Sequence, residues 1–199
     1  MPASEPRAVD PVSRSVYRAH LDKFGEPTRA LTYDARTAAP GMSPALPQLM
    51  VCIWSADHGV DVTTMATIGM SARPLESAPH RLELHMSVRN LDPALEDELT
   101  RFLANVADYP WQAHRDLDFW HRLTKPGPIP AFPSCTQLLF HPAFVDDGWD
   151  HVAVGGVEVR LLNVVPITDE EGRAAATSIE ALIDLWDDRE VDLFRDRSR

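Results

Sequence analysis

The sequence predicts an α+β fold: a single domain in which helices pack on a mixed, mostly antiparallel sheet. Helical and strand-like segments follow the order α, β, β, β, β, α, then further strands and a last helix, which is not the regular alternation of a doubly wound fold. Gly155-Gly156 separates two apolar-rich segments, as is typical of a tight hairpin. At Thr168 the pattern changes from strand to helix. Together these observations indicate one sheet with helices packed on it.

The chain begins with a polar segment and a first helix. Residues 1–12 contain three prolines and are largely polar, and we expect them to be disordered. A helix is predicted from about Val12 to Phe24, with Asp10 as its N-cap and a proline in the first turn. Four of its residues have the spacing of one helix face: Tyr17, His20, Leu21 and Phe24. Gly25 gives the stop signal.

Three strands are predicted next. Thr28–Tyr33 has the length of a short strand, and residues 38–47 form a loop rich in proline. Leu49–Trp54 is a continuous apolar run, which predicts burial on both faces. Residues 55–59 are typical of a hairpin loop, and Val60–Ile68 is rich in β-branched residues, as expected of the return strand.

The clearest strand pattern in the chain is the period-two alternation of residues 81–88. One face is apolar: Leu82, Leu84, Met86 and Val88. The other face is polar: Arg81, Glu83, His85 and Ser87. Because successive side chains point to opposite faces, we predict that the apolar set packs on the core. We predict that the polar set is exposed to solvent or faces a partner. A contact between Arg81 and Glu83 is possible on that face.

A second helix and an ambiguous stretch follow. Asp92 is a good N-cap with Pro93 at the first helical position, and Pro110 is predicted to close the helix. Leu95, Leu99, Phe102, Leu103 and Val106 form its buried stripe. Residues 112–116 are interpreted as a short helix and residues 119–123 as a strand. Thr136–Phe140 is predicted to join the same sheet, because so short a strand cannot form a core alone.

The C-terminal region starts with the predicted Gly-Gly hairpin between residues 149–154 and 157–165. The second strand begins with alternating polarity and then becomes apolar at both odd and even positions. We therefore predict that one face of its first half is exposed to solvent and that both faces of its second half are buried. Pro166 is predicted to end the strand ladder.

The last predicted element is a helix with a capping box, in which Thr168 and Glu171 have the required spacing. The helix is expected to run to Trp186, and its apolar stripe is Ala175, Ile179, Leu182, Ile183 and Trp186. The charged tail, residues 189–199, has no core face and is expected to fray. The domain boundaries predicted from these features are 13–188, between the two terminal segments.

Composition excludes several classes of function. Acidic residues outnumber basic ones 30 to 19, giving a net charge of −11, so nucleic acid and anionic membranes are not expected partners. A basic protein partner would be steered to such a surface. Neither a secretion signal nor a long apolar run is present in the sequence, so we expect a cytoplasmic protein. Cys52 and Cys135 lie in apolar runs and are predicted to be core residues, not a disulfide framework or a zinc site.

No catalytic, cofactor or metal constellation is predicted. Ser71 follows a glycine by two residues, but the second glycine of a nucleophile elbow is missing. Cys135 and His141 would lie ~20 Å apart on an extended strand, too far for a nucleophile and its base. The acidic turn at residues 146–151 lacks the regular ligands of a calcium loop. We therefore predict no catalytic residue, no cofactor and no metal.

Three motifs, taken in chain order, resemble the suppressor of fused domain family. They are Thr67-Ile-Gly-Met-Ser71, His80-Arg-Leu-Glu-Leu84 and Leu162-Asn-Val-Val-Pro-Ile-Thr-Asp-Glu-Glu171. The helix from Pro93 to Ala107 and the proline-rich loop after Trp120 are similar as well. The resemblance covers about residues 14–187 and implies a single α+β lobe. The chain ends soon after Trp186, so we expect the second lobe of the animal members to be absent.

The resemblance implies a non-catalytic, protein-binding function. In animals, members hold a transcription factor by clamping a strand-like peptide between lobes, and bacterial relatives of this size include immunity proteins that neutralise toxins. The predicted partner is therefore a protein, either basic or a toxin. The partner-binding candidates are Met70, Ser71, Arg81, Glu83 and His85. Two alternatives stay open: a small-ligand site or unrecognised enzyme on the face of Arg81, Glu83 and His85, and addition of a partner strand to a sheet edge.

Overall fold

The structure, a computed structural model, describes residues 10–33, 46, 48–56, 61–142 and 148–197. The helices in this part of the chain are α1 (Pro11–Phe24), α2 (Glu96–Gln112), α3 (Asp169–Thr177) and α4 (Ile179–Asp188). The strands are β1 (Arg29–Tyr33), β2 (Leu49–Trp54), β3 (Val62–Ile68), β4 (Arg81–Arg89), β5 (Arg122–Leu123), β6 (Gln137–His141), β7 (His151–Val154) and β8 (Val157–Ile167).

These strands form one mixed sheet in the order β1-β2-β3-β4-β8-β6-β5, with β7 paired to β8. Every pair is antiparallel except β4 with β8, which is parallel. The predicted α+β class with a mostly antiparallel sheet is confirmed. So is the Gly-Gly hairpin, because Val154 pairs with Val157 across Gly155 and Gly156, both of which have positive φ.

Helices cover both faces of the sheet. α2 packs on one face, over the alternating residues Leu82, Leu84, Met86 and Val88 of β4. The other face carries two separate apolar clusters. One lies under α1 and includes Val16, Tyr17, Met50 and Cys52, while the second lies under α3 and α4 and includes Leu139, Val165, Leu182 and Trp186. The predicted burial of Cys52 and Cys135 is confirmed.

Helix boundaries in the middle of the chain differ from the prediction. Asp92 is a cap, but of a short 3-10 helix at Pro93–Leu95 that precedes α2. Pro110 does not close α2, which continues to Gln112. The last turn is held by Trp111, which is buried and donates its indole N–H to the carbonyl of Pro74 at 2.9 Å. This packing outweighs the one helical hydrogen bond that a proline removes. Of the strand predicted at 119–123, only β5 forms.

Pro166 does not end the ladder of β8, which was the prediction. The strand runs to Ile167, and Pro166 is paired with Leu138 of β6. The carbonyl of Pro166 accepts a hydrogen bond from Arg197, so this edge of the residue faces the C-terminal tail and not β6. A proline whose nitrogen faces away from the neighbouring strand removes no ladder bond.

The predicted single C-terminal helix is two helices. Ser178 has extended backbone angles, ends α3, and caps α4 by accepting from the N–H of Ala181. This break reorients the second helix, so that Leu182 and Trp186 are buried while Ile183 is 39% exposed. Ile183 is therefore not part of the buried stripe, contrary to the prediction.

The capping box at the start of α3 is confirmed, and it gives a stability prediction. Thr168 accepts from the N–H of Glu171 at 3.2 Å, and Glu171 accepts from the N–H of Thr168 at 2.6 Å. Replacing Thr168 with alanine leaves the N–H of Glu171 without its partner, so we expect a loss of about 1 kcal/mol in the free energy of unfolding. Urea denaturation measures it. Thr168→Ser keeps the hydroxyl and should lose much less; equal losses would contradict the cap.

The C-terminal tail packs against the domain up to residue 197. The N–H of Arg89 donates to the carbonyl of Phe194 at 2.8 Å, and the hydroxyl of Ser134 donates to Asp196 at 2.6 Å. Arg197 donates to the buried carboxylate of Glu171 at 3.1 Å. The expectation that this tail frays is therefore wrong for its described part. Likewise, α1 begins at Pro11, inside the segment expected to be disordered.

Several predicted loops lie outside the described residues. They are residues 1–9, almost all of the loop at 38–47, positions 57–60 of the hairpin loop between β2 and β3, and positions 143–147, which include the start of the acidic turn. The antiparallel pairing of β2 with β3 agrees with a hairpin. The division of the chain into 1–12, 13–188 and 189–199 remains a prediction.

Candidate functional site

The centre of the polar face of β4 is buried, which corrects the prediction that this face is exposed to solvent or faces a partner. Glu83 is 0% exposed and His85 is 5% exposed. A 3-10 helix at Met70–Ala72 follows β3 and folds over Glu83, and α1 lies over this turn and over His85. The sequence pattern identified the two faces of the strand correctly. It could not show that local elements from elsewhere in the chain cover the polar one.

Glu83 is the centre of a cluster in which five groups donate hydrogen bonds to one carboxylate. Its Oε1 accepts from the N–H of Gly69 at 2.9 Å, the N–H of Ser71 at 3.0 Å and the hydroxyl of Ser71 at 2.7 Å. Its Oε2 accepts from the hydroxyl of Thr67 at 2.7 Å and the N–H of Met70 at 3.3 Å. We call Thr67, Gly69, Met70, Ser71 and Glu83 the Glu83 cluster.

The turn that supplies these donors requires a glycine. Gly69 has φ of 126°, and a Cβ at this position would lie 2.5 Å from the carbonyl oxygen of Gln48. Only glycine adopts this backbone conformation without strain. The turn points three successive N–H groups at one point, an arrangement that binds an anion. Here the anion is the side chain of Glu83, so two of the three motifs noted in the sequence meet in one contact.

The hydrogen bonds of the Glu83 cluster hold the turn after β3 against β4. Burial raises the pKa of the Glu83 carboxyl to about 7, while the hydrogen bonds from Ser71, Gly69 and Thr67 counteract that rise. Glu83 is 0% exposed, so neither of its oxygens contacts solvent in this conformation. The Ser71 hydroxyl is fully buried and donates to Glu83, so it is no exposed nucleophile.

Arg81 is the one candidate residue that reaches the surface. It is half-buried, and its guanidinium donates to the carbonyls of Ser71 and Ala72, both at 3.1 Å. These hydrogen bonds hold the end of the 3-10 turn on its solvent-facing side. The predicted contact with Glu83 is replaced by this contact with the backbone of the turn, because the carboxylate of Glu83 already has its donors.

His85 meets a residue that the sequence did not assign to the site. His20 of α1 has one ring nitrogen, Nδ1, 2.8 Å from the carbonyl of Val16, and its Nε2 lies 2.8 Å from Nε2 of His85. The rings of Trp54 and Trp149 pack on His20 with centroid distances of 6.0 and 5.0 Å. Burial lowers the pKa of His20 to about 4 and lowers the pKa of His85 well below its ordinary value. We call His20 and His85 the histidine pair.

A second buried carboxylate lies under α4 and was also not predicted as a cluster. Besides its role in the capping box, Glu171 accepts from the indole N–H of Trp186 at 2.9 Å and from Arg197 at 3.1 Å. The sequence signal was only the capping box, because Arg197 is distant along the chain. Glu171 therefore links Thr168, the residue that follows β8, to α4 and to the tail.

All five partner-binding candidates lie at or next to β4, but four of them are buried. Met70, Ser71, Glu83 and His85 are at most 5% exposed. Their role in partner binding remains a prediction, and in this conformation it would be to shape the surface. Among the described residues, the 3-10 turn and α1 cover Glu83 and His85, the centre of the face on which the small-ligand or enzyme alternative was placed, and that alternative stays a hypothesis. In the described part of the chain, no three His, Cys, Asp or Glu residues are grouped to hold a metal.

The structure is an α+β domain with a mixed sheet and a buried polar cluster beside β4. Comparison with known families shows which family it belongs to. The profile of the suppressor of fused protein (SUFU) family matches residues 47–199, which is most of the chain. The chain belongs to the suppressor of fused family. The resemblance recognised from the three motifs is confirmed.

Solved structures show the same fold. A suppressor of fused homologue from Neisseria gonorrhoeae matches with a TM-score of 0.65 and 17% identity over 92% of each chain. A structure of the Sufu–Fu complex matches with a TM-score of 0.60 and 13% identity over 93% of this chain and 87% of that one. Drosophila Suppressor of Fused has a TM-score of 0.52 and 13% identity, and 54% of its chain is covered.

Two further results complete the comparison. None of the curated proteins matches this sequence significantly. Among the helices of the described residues, none combines the length and the apolar character that a membrane crossing requires.

Proposed function

We propose that this protein is a non-catalytic binding domain that acts as a bacterial immunity protein, neutralising a basic toxin by forming a complex with it. The observation that carries the proposal is that the buried polar groups of the Glu83 cluster are hydrogen-bonded within the fold. Both oxygens of Glu83 and the hydroxyl of Ser71 are occupied within the fold. What remains available to other molecules is the surface, and that surface is acidic.

The fold of this family is found in a complex of two proteins, which supports a binding function. One similar structure is the Sufu–Fu complex. We extend that use of the fold to this chain: the domain holds another protein and performs no reaction on it.

The outer face of α4 supplies the best-defined acidic surface. Glu180, Asp184 and Asp187 are exposed and recur at the spacing of one helix face. Ile183 lies among them, and it is the one large hydrophobic side chain that is exposed in the described part of the chain. An apolar centre surrounded by charge is the usual arrangement of a protein interface. We propose that this face contacts the basic partner.

Charge reversal on α4 tests this surface. We expect the variant E180K/D184K/D187K to bind the partner more weakly and more slowly, because electrostatic attraction steers association of unlike charges. Binding by the unaltered protein should also weaken with added salt, and that of the variant should respond less. Surface plasmon resonance at several salt concentrations measures both effects.

A matched control separates the position of the charges from their number. The variant D22K/E26K/E98K reverses three exposed acidic residues on or near α1 and α2. It should keep most of the association rate. Equal losses for the two variants would show that net charge alone acts, and the α4 face would then be excluded as the contact.

Strand addition remains the alternative mode of binding, and the sheet order now indicates where to look. β1 is at one end of the sheet and pairs, among described residues, only with β2. Amide exchange with and without partner distinguishes the modes. Protection of α4 supports the proposed face, whereas protection confined to the β1 backbone supports an added strand.

A further inference from the structure

The histidine pair joins α1 to β4 through a hydrogen bond that neutral rings can make. Nδ1 of His20 faces the carbonyl of Val16, so it carries the proton of the neutral ring. Nε2 of His20 is then an acceptor, and Nε2 of His85 donates to it across 2.8 Å. If both rings are protonated, two N–H groups face each other across this distance. Doubly charged rings therefore cannot keep the contact.

Among the residues that the structure describes, aromatic rings and not charged groups surround the pair. Phe24, Trp54 and Trp149 pack on the two rings. A buried charge without a partner is costly, and the cost is relieved when the group returns to water. Exposure of the rings on release of α1 therefore becomes more favourable as protons become available.

The titratable groups on the neighbouring elements are engaged or buried. Glu83 of β4 is held by its five donors, and burial raises the pKa of the Cys52 thiol of β2 to about 12. Tyr17 of α1 is buried, and Asp150 before β7 pairs with its neighbour His151. On β8, the residue paired with His85 is Asn163, whose amide donates to the carbonyl of Pro142.

We propose that α1 is an acid-released cover over β4, with the histidine pair as its latch. Above the ordinary histidine pKa of 6.5 the neutral pair holds α1 closed, and the closed state loses this contribution as the pH falls toward about 4. Release uncovers His85, Trp54 and Trp149. The domain thus changes the surface that it offers to a partner between neutral and acidic conditions.

We expect the opening to be local, because the five hydrogen bonds of the Glu83 cluster join β3, the 3-10 turn and β4 without involving the histidine pair, and Glu83 responds to acid in the opposite direction. Its pKa is raised by burial from 4.5 to about 7 in the native state. That contribution to stability is lost as pH rises through about 7 and is fully present below 4.5, so acid favours the native Glu83 cluster. The turn at Met70–Ala72 and β4 are thereby expected to persist while α1 opens.

Amide hydrogen exchange between pH 7 and pH 5, corrected for the intrinsic rate, tests the proposal on the full chain. With two protons taken up on release, the opening equilibrium of α1 can rise up to about a hundredfold for each pH unit. We expect amides of residues 16–24 to lose protection while those of β2 and β8 keep it. Simultaneous loss in α1 and β8, or an unchanged α1, would overturn the proposal.

Two variants and one spectroscopic measurement complete the test. The double variant H20L/H85L removes both titrating rings, so the exchange of α1 should no longer depend on pH in this range. The control H114Q alters an exposed histidine and should respond as the unaltered protein does. If the double variant does not fold, nitrogen-15 NMR of the unaltered protein decides. His20 and His85 should take up protons together with the opening of α1, and titration with α1 still protected refutes the latch.

Discussion

Replacing Glu83 with methionine is expected to lower the free energy of unfolding by about 4 kcal/mol, because it leaves several buried donors without an acceptor. Methionine has nearly the same length and fills the space, so the loss is not a cavity effect. Both the turn at Met70–Ala72 and the hydroxyl of Thr67 lose their acceptor. Guanidinium denaturation at pH 8 measures the difference.

A graded control separates hydrogen bonding from packing at this position. In Glu83→Gln the amide oxygen can take the place of Oε1 and accept from Gly69 and Ser71. The NH2 group at the other end then faces two former donors, of which the hydroxyl of Thr67 can rotate to accept a hydrogen bond while the N–H of Met70 cannot. We expect this variant to lose about 1–2 kcal/mol, the cost of one unsatisfied group. Equal stability of the methionine variant and the unaltered protein would refute the structural role of the cluster.

The second large effect is expected from Gly69→Ala. The methyl group would lie 2.5 Å from the carbonyl oxygen of Gln48, and the backbone φ of 126° is strained for any residue with a Cβ. Together these terms predict a loss of roughly 3 kcal/mol or more, unless the turn shifts and gives up its contacts to Glu83. Thermal unfolding followed by circular dichroism measures the loss.

Gly127→Ala is the matched control for the glycine prediction. Gly127 also has a positive φ, of 84°, but a Cβ there would meet nothing within 4 Å. It should cost only the conformational strain, about 1 kcal/mol. If the two alanine variants lose the same stability, the close approach to Gln48 carries no weight and the fit of the turn is not as described.

Much of the fold could be predicted because its signals are local. The apolar run of β2 and the alternation of β4 set burial directly, and the caps of α1 and α3 are formed by neighbouring residues. The misplaced boundaries were those that tertiary packing decides. The packing of Trp111 keeps the last turn of α2 helical beyond Pro110. Pro166 can remain in β8 because its carbonyl faces Arg197 and its nitrogen faces away from β6, so no ladder bond is lost.

The sequence proposed a candidate site at β4 and the turn after β3, and these two segments do meet at Glu83. Their role in partner binding stays a prediction, and their burial was not predicted. Exposure could not be deduced, because the cover comes from α1, which is far away in the sequence. His20 was predicted to share one face of its helix with Tyr17 and Phe24, but no spacing rule links it to His85. Long-range partners such as Arg197 and Glu171 escape local patterns for the same reason.

We propose that the protein neutralises a toxin by forming a stable complex with it, without turnover. Titration of purified protein into a fixed amount of the toxic product of the adjacent gene, with residual toxin activity as the readout, tests it most directly. We expect a linear fall in activity that ends at equimolar protein, with intact toxin recovered from the complex. Inactivation by far less than one equivalent would reveal a catalyst, and undiminished activity at excess would exclude immunity toward that toxin.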